Sequence, residues 1–371
     1  MIKVLNILTD SNIGGAGRCL VNYLKYCDRS RFSVSVVLPR GSLLIPEIQK
    51  LDIPVIEAEG IAEASFSLGA IATLHRIIRA QRPDIVHTHG SLSGRISARL
   101  WGAKIVYTRH SAFPVPGYLR RGPGRWLNGS INNALADRII AVSPATAENL
   151  TDSGVSRKKI TVMMNGVEAL PRSAPSACRE LRQSLHLPDG VFTAGILARL
   201  EPYKGHMLLL DAARELADQG REFRILIGGS GSQEEAIRQG IAARDLDRQV
   251  LFLGFVQNVP QILSILDVQL NCSYGTEASS LALIEGMSLG LATVASDYGG
   301  NPWQVDDGIT GLLFPSGSSH DLAVQIARLM DDPALLHSMQ NQALEAYRTR
   351  FTGEIFAKNI ESVYQQAINR K

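Results

Sequence analysis

The sequence predicts an α/β protein of two Rossmann-like domains, each a parallel sheet covered by helices. Three observations carry this prediction. Short strand-like runs alternate with helical ones along all 371 residues. These runs are short and rich in Val, Ile and Leu, as expected of strands buried on both faces. They fall into two sets separated by a proline-bearing stretch, and 45% hydrophobic residues supply core enough for two domains.

In the first set the expected strands are 2–8, 33–38, 84–88, 104–108 and 138–142. In the second they are 192–198, 223–228, 249–253, 267–272, 291–295 and 311–314. Strand–helix alternation of this kind implies parallel pairing through helical crossovers. The linker is expected after Asn165-Gly166-Val167, through Pro171, Pro175 and Pro188. The first domain then spans 1–168 and the second 169–352, with a last helix over 353–371 packing back on the first. There is no internal repeat.

Composition excludes several classes. At 20% charged residues with 33 glycines, the chain is neither disordered nor low-complexity. Cys19, Cys27, Cys178 and Cys272 lie far apart with no CxxC spacing, so neither a zinc site nor a disulfide framework is expected, and a reducing cytoplasm fits. Residues 1–10 read as a strand rather than a signal peptide, and no run of 18 apolar residues exists to span a membrane. The net charge of +3 hides an asymmetry: residues 1–168 hold 21 Lys/Arg against 12 Asp/Glu, and the remainder 17 against 23. Residues 85–136 carry Arg95, Arg99, Lys104, Arg109, Arg120, Arg121 and Arg125 and no acid. Such a stretch is either a solvated positive face or the docking side for an anionic partner: a membrane surface, a lipid phosphate or an acidic glycan. Tyr118, Leu119, Trp126 and Leu127 interleave with its arginines, a mixture able to lie on an anionic membrane. Pro114, Pro116, Gly117, Gly122, Pro123 and Gly124 predict a mobile loop there. No nucleic-acid partner is expected.

The chemistry concentrates at strand ends. Glu277 and Glu285 bracket a segment in which Ser279 or Ser280 caps a helix running from Leu281 to Leu291. The two carboxylates are then on the order of 10 Å apart, too far to share a proton or metal but well placed to grip two ends of one polar ligand. The helix N-terminus between them favours an anion. Hydroxyl acceptors flanking an anion cradle describe a sugar nucleotide. Arg199 and Lys204 follow the strand 192–198 across a proline-bearing turn, and two cations at a strand's carboxyl end suit a diphosphate. Gly14 and Gly15 follow the first strand and open a helix, which permits close approach of a phosphate or sugar; the third glycine of the dinucleotide fingerprint is absent, position 19 being Cys19. Gly229, in Gly228-Gly229-Ser230-Gly231, is expected to line a nucleotide pocket, since no acid ends the next strand as a nicotinamide site requires. His87 and His89 end one strand and read as structural hydrogen bonders, whereas His110, beside Arg109, reads as a substrate contact. Asp245 and Asp247 form a DxD triplet between Arg244 and Arg248, a poor metal site.

These residues together resemble a known family. The glycine turn Gly14-Gly15, Thr108-Arg109-His110, Val142-Ser143, Asn165-Gly166-Val167, Arg199 with Lys204-Gly205, Leu253-Gly254-Phe255, the Glu277/Glu285 pair with Gly286-Met287, Gly299-Gly300 and residues 307–311 occur in order along nearly the whole chain. The sequence is similar to retaining glycosyltransferases of family 4, also called group 1, with the GT-B fold of two Rossmann-like domains facing across a cleft. The resemblance implies transfer of a hexose from a nucleoside diphosphate sugar to a hydroxyl acceptor, a glycan or lipid-linked glycan, in polysaccharide or glycoconjugate synthesis. It implies that Arg199 and Lys204 hold the diphosphate and that Glu277 binds hydroxyls of the transferred sugar. Backbone N–H groups near Ser279, Ser280 and Leu281 would meet the phosphates, and Glu285 the ribose. His110 would contact the donor sugar near the reacting carbon, with Gly14 and Gly15 close to sugar and phosphate. Arg120, Arg121, Arg125 and Trp126 fall on the acceptor or membrane side. No cofactor and no metal is expected, the sugar nucleotide being a substrate. A sugar-nucleotide epimerase-like enzyme and a non-catalytic glycan- or lipid-binding module are the alternatives. Gly17 stands where many relatives have an acid, Trp303 where many have Glu, and Ala278-Ser279-Ser280 where Gly-Phe-Gly is commoner.

Overall fold

The structure, a computed structural model, describes residues 1–63 and 65–369. Its chain divides into two compact units: Met1–Val167 together with the segment from Phe351 onward, and Glu168–Arg350. Each is a wholly parallel sheet with helical crossovers.

The strands of the first unit are β1 (Ile2–Leu8), β2 (Phe32–Pro39), β3 (Val55–Ala58), β4 (Ile85–His89), β5 (Lys104–Arg109), β6 (Arg138–Ala141) and β7 (Ile160–Val162). They lie in the order β3-β2-β1-β4-β5-β6-β7. The strand order reverses between β1 and β4, whose register sets Asn6 beside His87 and Leu8 beside His89. The second unit holds β8 (Phe192–Leu197), β9 (Phe223–Gly228), β10 (Val250–Gly254), β11 (Val268–Asn271), β12 (Ala292–Ser296) and β13 (Gly311–Phe314) in the order β10-β9-β8-β11-β12-β13, reversing between β8 and β11. In open α/β sheets the crevice outside the carboxyl ends of strands at such a reversal is where ligands bind. Arg199 and Lys204 follow β8, Glu277 follows β11, Gly14 follows β1, and His89 closes β4.

Two strands were not expected. Val55–Ala58 and Ile160–Val162 are the two edge strands of the first sheet, only four and three residues long. They form because a neighbouring strand offers a free ladder, a signal that a short sequence does not carry.

The expected loop is confined to residues 111–116; from Gly117 onward the stretch is helical. Gly117–Arg120 and Gly122–Ala134 are helices. Pro123 sits in the first turn of the second, where its missing N–H costs no bond. At Gly129, whose added Cβ would lie 2.2 Å from the Gly154 carbonyl oxygen, the helix packs closely on the turn that follows the helix Pro144–Asp152. Arg125 donates to the carbonyls of Asp152 and Thr151 at 3.0 and 3.1 Å. Arg125 therefore secures the end of the helix Pro144–Asp152 while its side chain stays exposed.

The last helix, Gly353–Ile368, is capped by Thr352 and buries Phe356, Ile360, Val363, Tyr364 and Ala367 in the first unit. Tyr364 meets the rings of Tyr23 and Phe32 at 5.9 and 5.7 Å. Glu361 accepts from the Asp28 N–H at 2.7 Å, and Val167 N–H donates to Phe351 O at 3.0 Å. The final two residues of the expected 353–371 helix lie outside the described residues.

Candidate active site

In the second unit three loops meet at the carboxyl edge. The loop after β8 is zipped to the loop after β9 by Leu200 N–H to Ser230 O and Gln233 N–H to Leu200 O, each 2.9 Å, and by Ser232 Oγ to the Glu201 carboxylate at 2.8 Å. This contact explains Gly229. Its φ is +152° and an added Cβ would sit 1.9 Å from the Ala198 carbonyl oxygen. The glycine lets two loops touch.

The loop after β8 meets the loop after β11 through Tyr274 N–H to Tyr203 O at 2.9 Å. The Tyr203 ring lies 5.9 Å from both the Arg199 guanidinium carbon and Lys204 Nζ. Arg199 is exposed, and among the described residues it makes no ion pair. Lys204 is different: its ammonium lies 2.7 Å from Glu277 Oε2, with both side chains largely buried. Two side chains given separate ligand tasks by sequence are in direct contact in the protein.

Glu277 is 6% exposed. Its Oε2 also accepts from Asn271 Nδ2 at 3.2 Å and Ser273 Oγ at 3.1 Å. Three donors thus converge on one oxygen. Oε1 takes no hydrogen bond from the described residues and is not buried, so it stays open to a ligand hydroxyl. Asn271 and Ser273 escaped the sequence reading. Their signal was present: an amide ending an otherwise apolar strand needs a partner. The backbone of Glu277 is fixed as well, its carbonyl accepting from Gly300 N–H at 2.8 Å; at Gly299, with φ +61°, an added Cβ would lie 2.1 Å from that same oxygen.

Ser280 is the N-cap, its hydroxyl accepting from Leu283 N–H at 3.4 Å. The helix runs from Leu281 to Ser288 and stops short of Leu291, because Gly290 turns the chain at φ +77°. The Ser280 N–H is occupied by Gln304 Oε1 at 2.7 Å, while Gln304 Nε2 donates back to Ser280 O at 3.0 Å. This corrects the expectation that the Ser280 amide faces a phosphate: the Leu281 N–H remains for an anion, and Gln304 holds the turn. The Ser279 hydroxyl is buried without a partner. Glu285 is half-buried one turn into the helix.

In the first unit, Gly14 caps the helix Gly15–Tyr26 without a side-chain bond, and a Cβ on Gly15 would meet nothing within 4 Å. Packing does not demand these glycines; they leave the helix N-terminus open. Gly17 has a packing reason, since its added Cβ would lie 2.6 Å from Leu44 Cδ1. Arg120, Arg121 and Trp126 are exposed.

His87, His89 and His110 form one cluster, the first two buried and His110 half-buried. His87 Nδ1 pairs with Tyr364 Oη at 2.8 Å and its Nε2 with Thr108 Oγ1 at 2.7 Å. His89 Nδ1 pairs with His110 Nε2 at 2.9 Å. Burial pushes the His110 imidazole down to about 4, and burial with the neighbouring His110 pushes His87 down to about 3. Burial holds His89 well below its usual range as well. A histidine neutral when folded binds fewer protons than the unfolded chain below 6.5, so stability is full above that pH and is lost as pH falls below it. The expected loss is on the order of 1 kcal/mol per buried histidine for each pH unit. Urea midpoints at pH 7.5 and 5.5 check this, and equal midpoints would refute a neutral cluster.

Among the described residues no three His, Cys, Asp or Glu side chains could hold a metal ion. Asp245 and Asp247 are exposed on a tight turn, Asp245 at φ +50°, with Leu246 buried between them.

Comparison with known proteins places this geometry. Residues 13–169 match the model of Glycosyltransferase Family 4, and residues 178–346 that of Glycosyl transferases group 1. The chain is 31% identical over 287 residues to a 2-deoxystreptamine glucosyltransferase of Streptomyces kanamyceticus, covering 71% of this chain and 73% of the relative. It is 29% identical over 304 residues to a D-inositol 3-phosphate glycosyltransferase of Nocardia farcinica, covering 77% and 67%. HepE of Anabaena, solved in complex with UDP and glucose, superposes with a TM-score of 0.83 over 99% of this chain and 100% of its own, at 23% identity. The fold is GT-B, and the chain belongs to the family 4, or group 1, glycosyltransferases.

Proposed function

We propose that the protein is a retaining glycosyltransferase that moves a hexose from a nucleoside diphosphate sugar to a hydroxyl of a glycan or lipid-linked acceptor, in the synthesis of a polysaccharide or glycoconjugate. The observation that carries the reading is Glu277, held at Oε2 by Lys204, Asn271 and Ser273 with Oε1 open, beside the helix N-terminus at Leu281. A fixed carboxylate oxygen suits a sugar hydroxyl. The adjacent cations and amide suit the diphosphate, each charge-assisted bond contributing roughly 1.5–3 kcal/mol. In the reaction the bond from the anomeric carbon to the diphosphate breaks. The acceptor oxygen bonds to that carbon on the same face, and its proton passes to the leaving phosphate. Lys204 and Arg199 stabilise the charge that develops there, Glu285 holds the ribose, and His110 serves the transferred sugar. HepE's complex with UDP and glucose supports a sugar-nucleotide donor.

Thermal-shift titration with UDP-, GDP- and ADP-glucose tests the reading; one nucleotide sugar should raise the melting temperature, and release of its nucleotide should depend on added acceptor. Acceptor-independent release would favour the epimerase-like alternative, and no shift with any nucleotide the binding module. Turnover is expected to survive EDTA, because among the described residues no three His, Cys, Asp or Glu side chains are grouped to hold a metal ion. A collapse reversed by magnesium or manganese would reopen Asp245 and Asp247.

The acceptor side of the reading is an anionic membrane surface at which a cytoplasmic enzyme works peripherally. Tyr118 and Trp126 are 71% and 72% exposed, Leu127 is exposed as well, and Arg120 and Arg121 stand between them in sequence, at the junction of the two helices. No helix among the described residues is long and apolar enough to cross a membrane. The protein should co-sediment with vesicles containing phosphatidylglycerol at low salt and release as salt rises. An Arg120→Ala/Arg121→Ala/Trp126→Ser variant should lose most of that binding; undiminished binding would place the contact elsewhere.

A further inference from the structure

The histidine cluster has a direction. His89 Nε2 faces Asn6 Oδ1 at 3.4 Å. The Asn6 amide nitrogen makes no hydrogen bond among the described residues, and its carbonyl oxygen is the atom turned to His89; an oxygen of that kind only accepts. His89 must carry its proton on Nε2, and a neutral imidazole then has a bare Nδ1. The His89 and His110 rings lie at 21° with centroids 5.2 Å apart and their nitrogens 2.9 Å apart. That centroid spacing is the length of one N···N bond plus two ring radii, so the rings meet edge to edge with the bond near their common plane. The proton in this bond belongs to His110 Nε2. His110 Nδ1 is then bare. It has no partner among the described residues and is not a buried orphan, so it is open.

We infer that Asn6 and His89 are positioning residues that lock His110 in its Nε2–H tautomer, so that it presents an acceptor-only nitrogen selecting a hydroxyl as its ligand. The inference rests on the reading of His110 as a sugar contact. A sugar hydroxyl that donates to Nδ1 is matched, whereas a carbonyl or carboxylate oxygen at the same place meets a lone pair. The tautomer is fixed two residues away, on β1 and β4, before any ligand arrives. Burial of His87 and His89 and the desolvation of half-buried His110 keep the three rings neutral, which the relay requires.

Long-range proton–nitrogen spectra of the ligand-free, 15N-labelled full chain test this, with His110 assigned by its loss in His110→Gln. His110 should show a protonated Nε2 and a bare Nδ1; the reverse pattern, or a fast mixture, overturns the inference whatever the enzyme transfers. Asn6→Leu should turn the single His110 tautomer into a mixture and lower kcat about tenfold, the fold-change of one hydrogen bond, with nucleotide affinity unchanged. His89→Asn places an amide oxygen where Nδ1 stood and should keep both the tautomer and most of kcat, while His89→Leu loses both. An unaltered His110 spectrum in Asn6→Leu overturns the relay. Should the wild-type spectrum and its changes be as stated while nucleotide release never depends on acceptor, the relay stands and the transferase reading fails.

Discussion

Lys204→Ala is expected to lower kcat by two to three orders of magnitude, about what the loss of one preorganised donor to a developing anion costs. Lys204 is the more enclosed of the two cations after β8, and its partner Glu277 fixes it without a search for position. Stability should fall by only about 1–3 kcal/mol, the range for one unsatisfied buried polar contact. The fold survives because Asn271 and Ser273 still donate to the stranded carboxylate. Adding Glu277→Gln removes the stranded charge and should restore part of the urea midpoint while leaving kcat low. A Lys204→Ala enzyme with wild-type kcat would remove the lysine from the donor site.

Glu277→Ala and Glu285→Ala should fail in different ways. Glu277 presents Oε1 beside the loop ends, whereas Glu285 lies one turn down the helix. Calorimetry should find that Glu277→Ala weakens the nucleotide sugar by about tenfold or more and leaves the bare nucleotide little changed, as loss of a charged hydrogen bond to a hydroxyl predicts. Glu285→Ala should weaken both ligands alike, a ribose grip being indifferent to the sugar. Equal losses for both ligands in both variants would show that the two carboxylates do not divide the donor between them.

Much of this was legible in the sequence, and the reasons are particular. The strands flanking each reversal, such as Ile2–Leu8 and Phe192–Leu197, are buried on both faces and need continuous apolar runs, so they declare themselves. Edge strands such as Val55–Ala58 need only one neighbour and do not. The Pro/Gly-rich stretch 114–124 misled because the residues that break helices also start them: Pro123 is in a first turn, and Gly129 is where the helix touches Gly154. At the site, Lys204 and Glu277 were found by chemical type. Their ion pair, and the clamp by Asn271 and Ser273, depend on how two loops cross, which linear spacing does not encode. Gln304, next to the departure at Trp303, was invisible for the same reason.

The helix Gly353–Ile368 carries a consequence for biosynthesis. The chain leaves its first unit at Val167 and returns to it only at Phe351, after 183 intervening residues, Glu168–Arg350, have been made. Until then the surface that receives Tyr364 is bare: Tyr23 and Phe32 lack their partner ring, and the His87 ring lacks one of its two hydrogen bonds. Domains that emerge first from the ribosome generally fold first. Here the N-terminal unit has to wait, while Glu168–Arg350 contains all its own strands and can close during synthesis. The emerging polypeptide therefore carries an unfinished apolar face for as long as Glu168–Arg350 is being made, and the helix Gly353–Ile368 is the one that covers it.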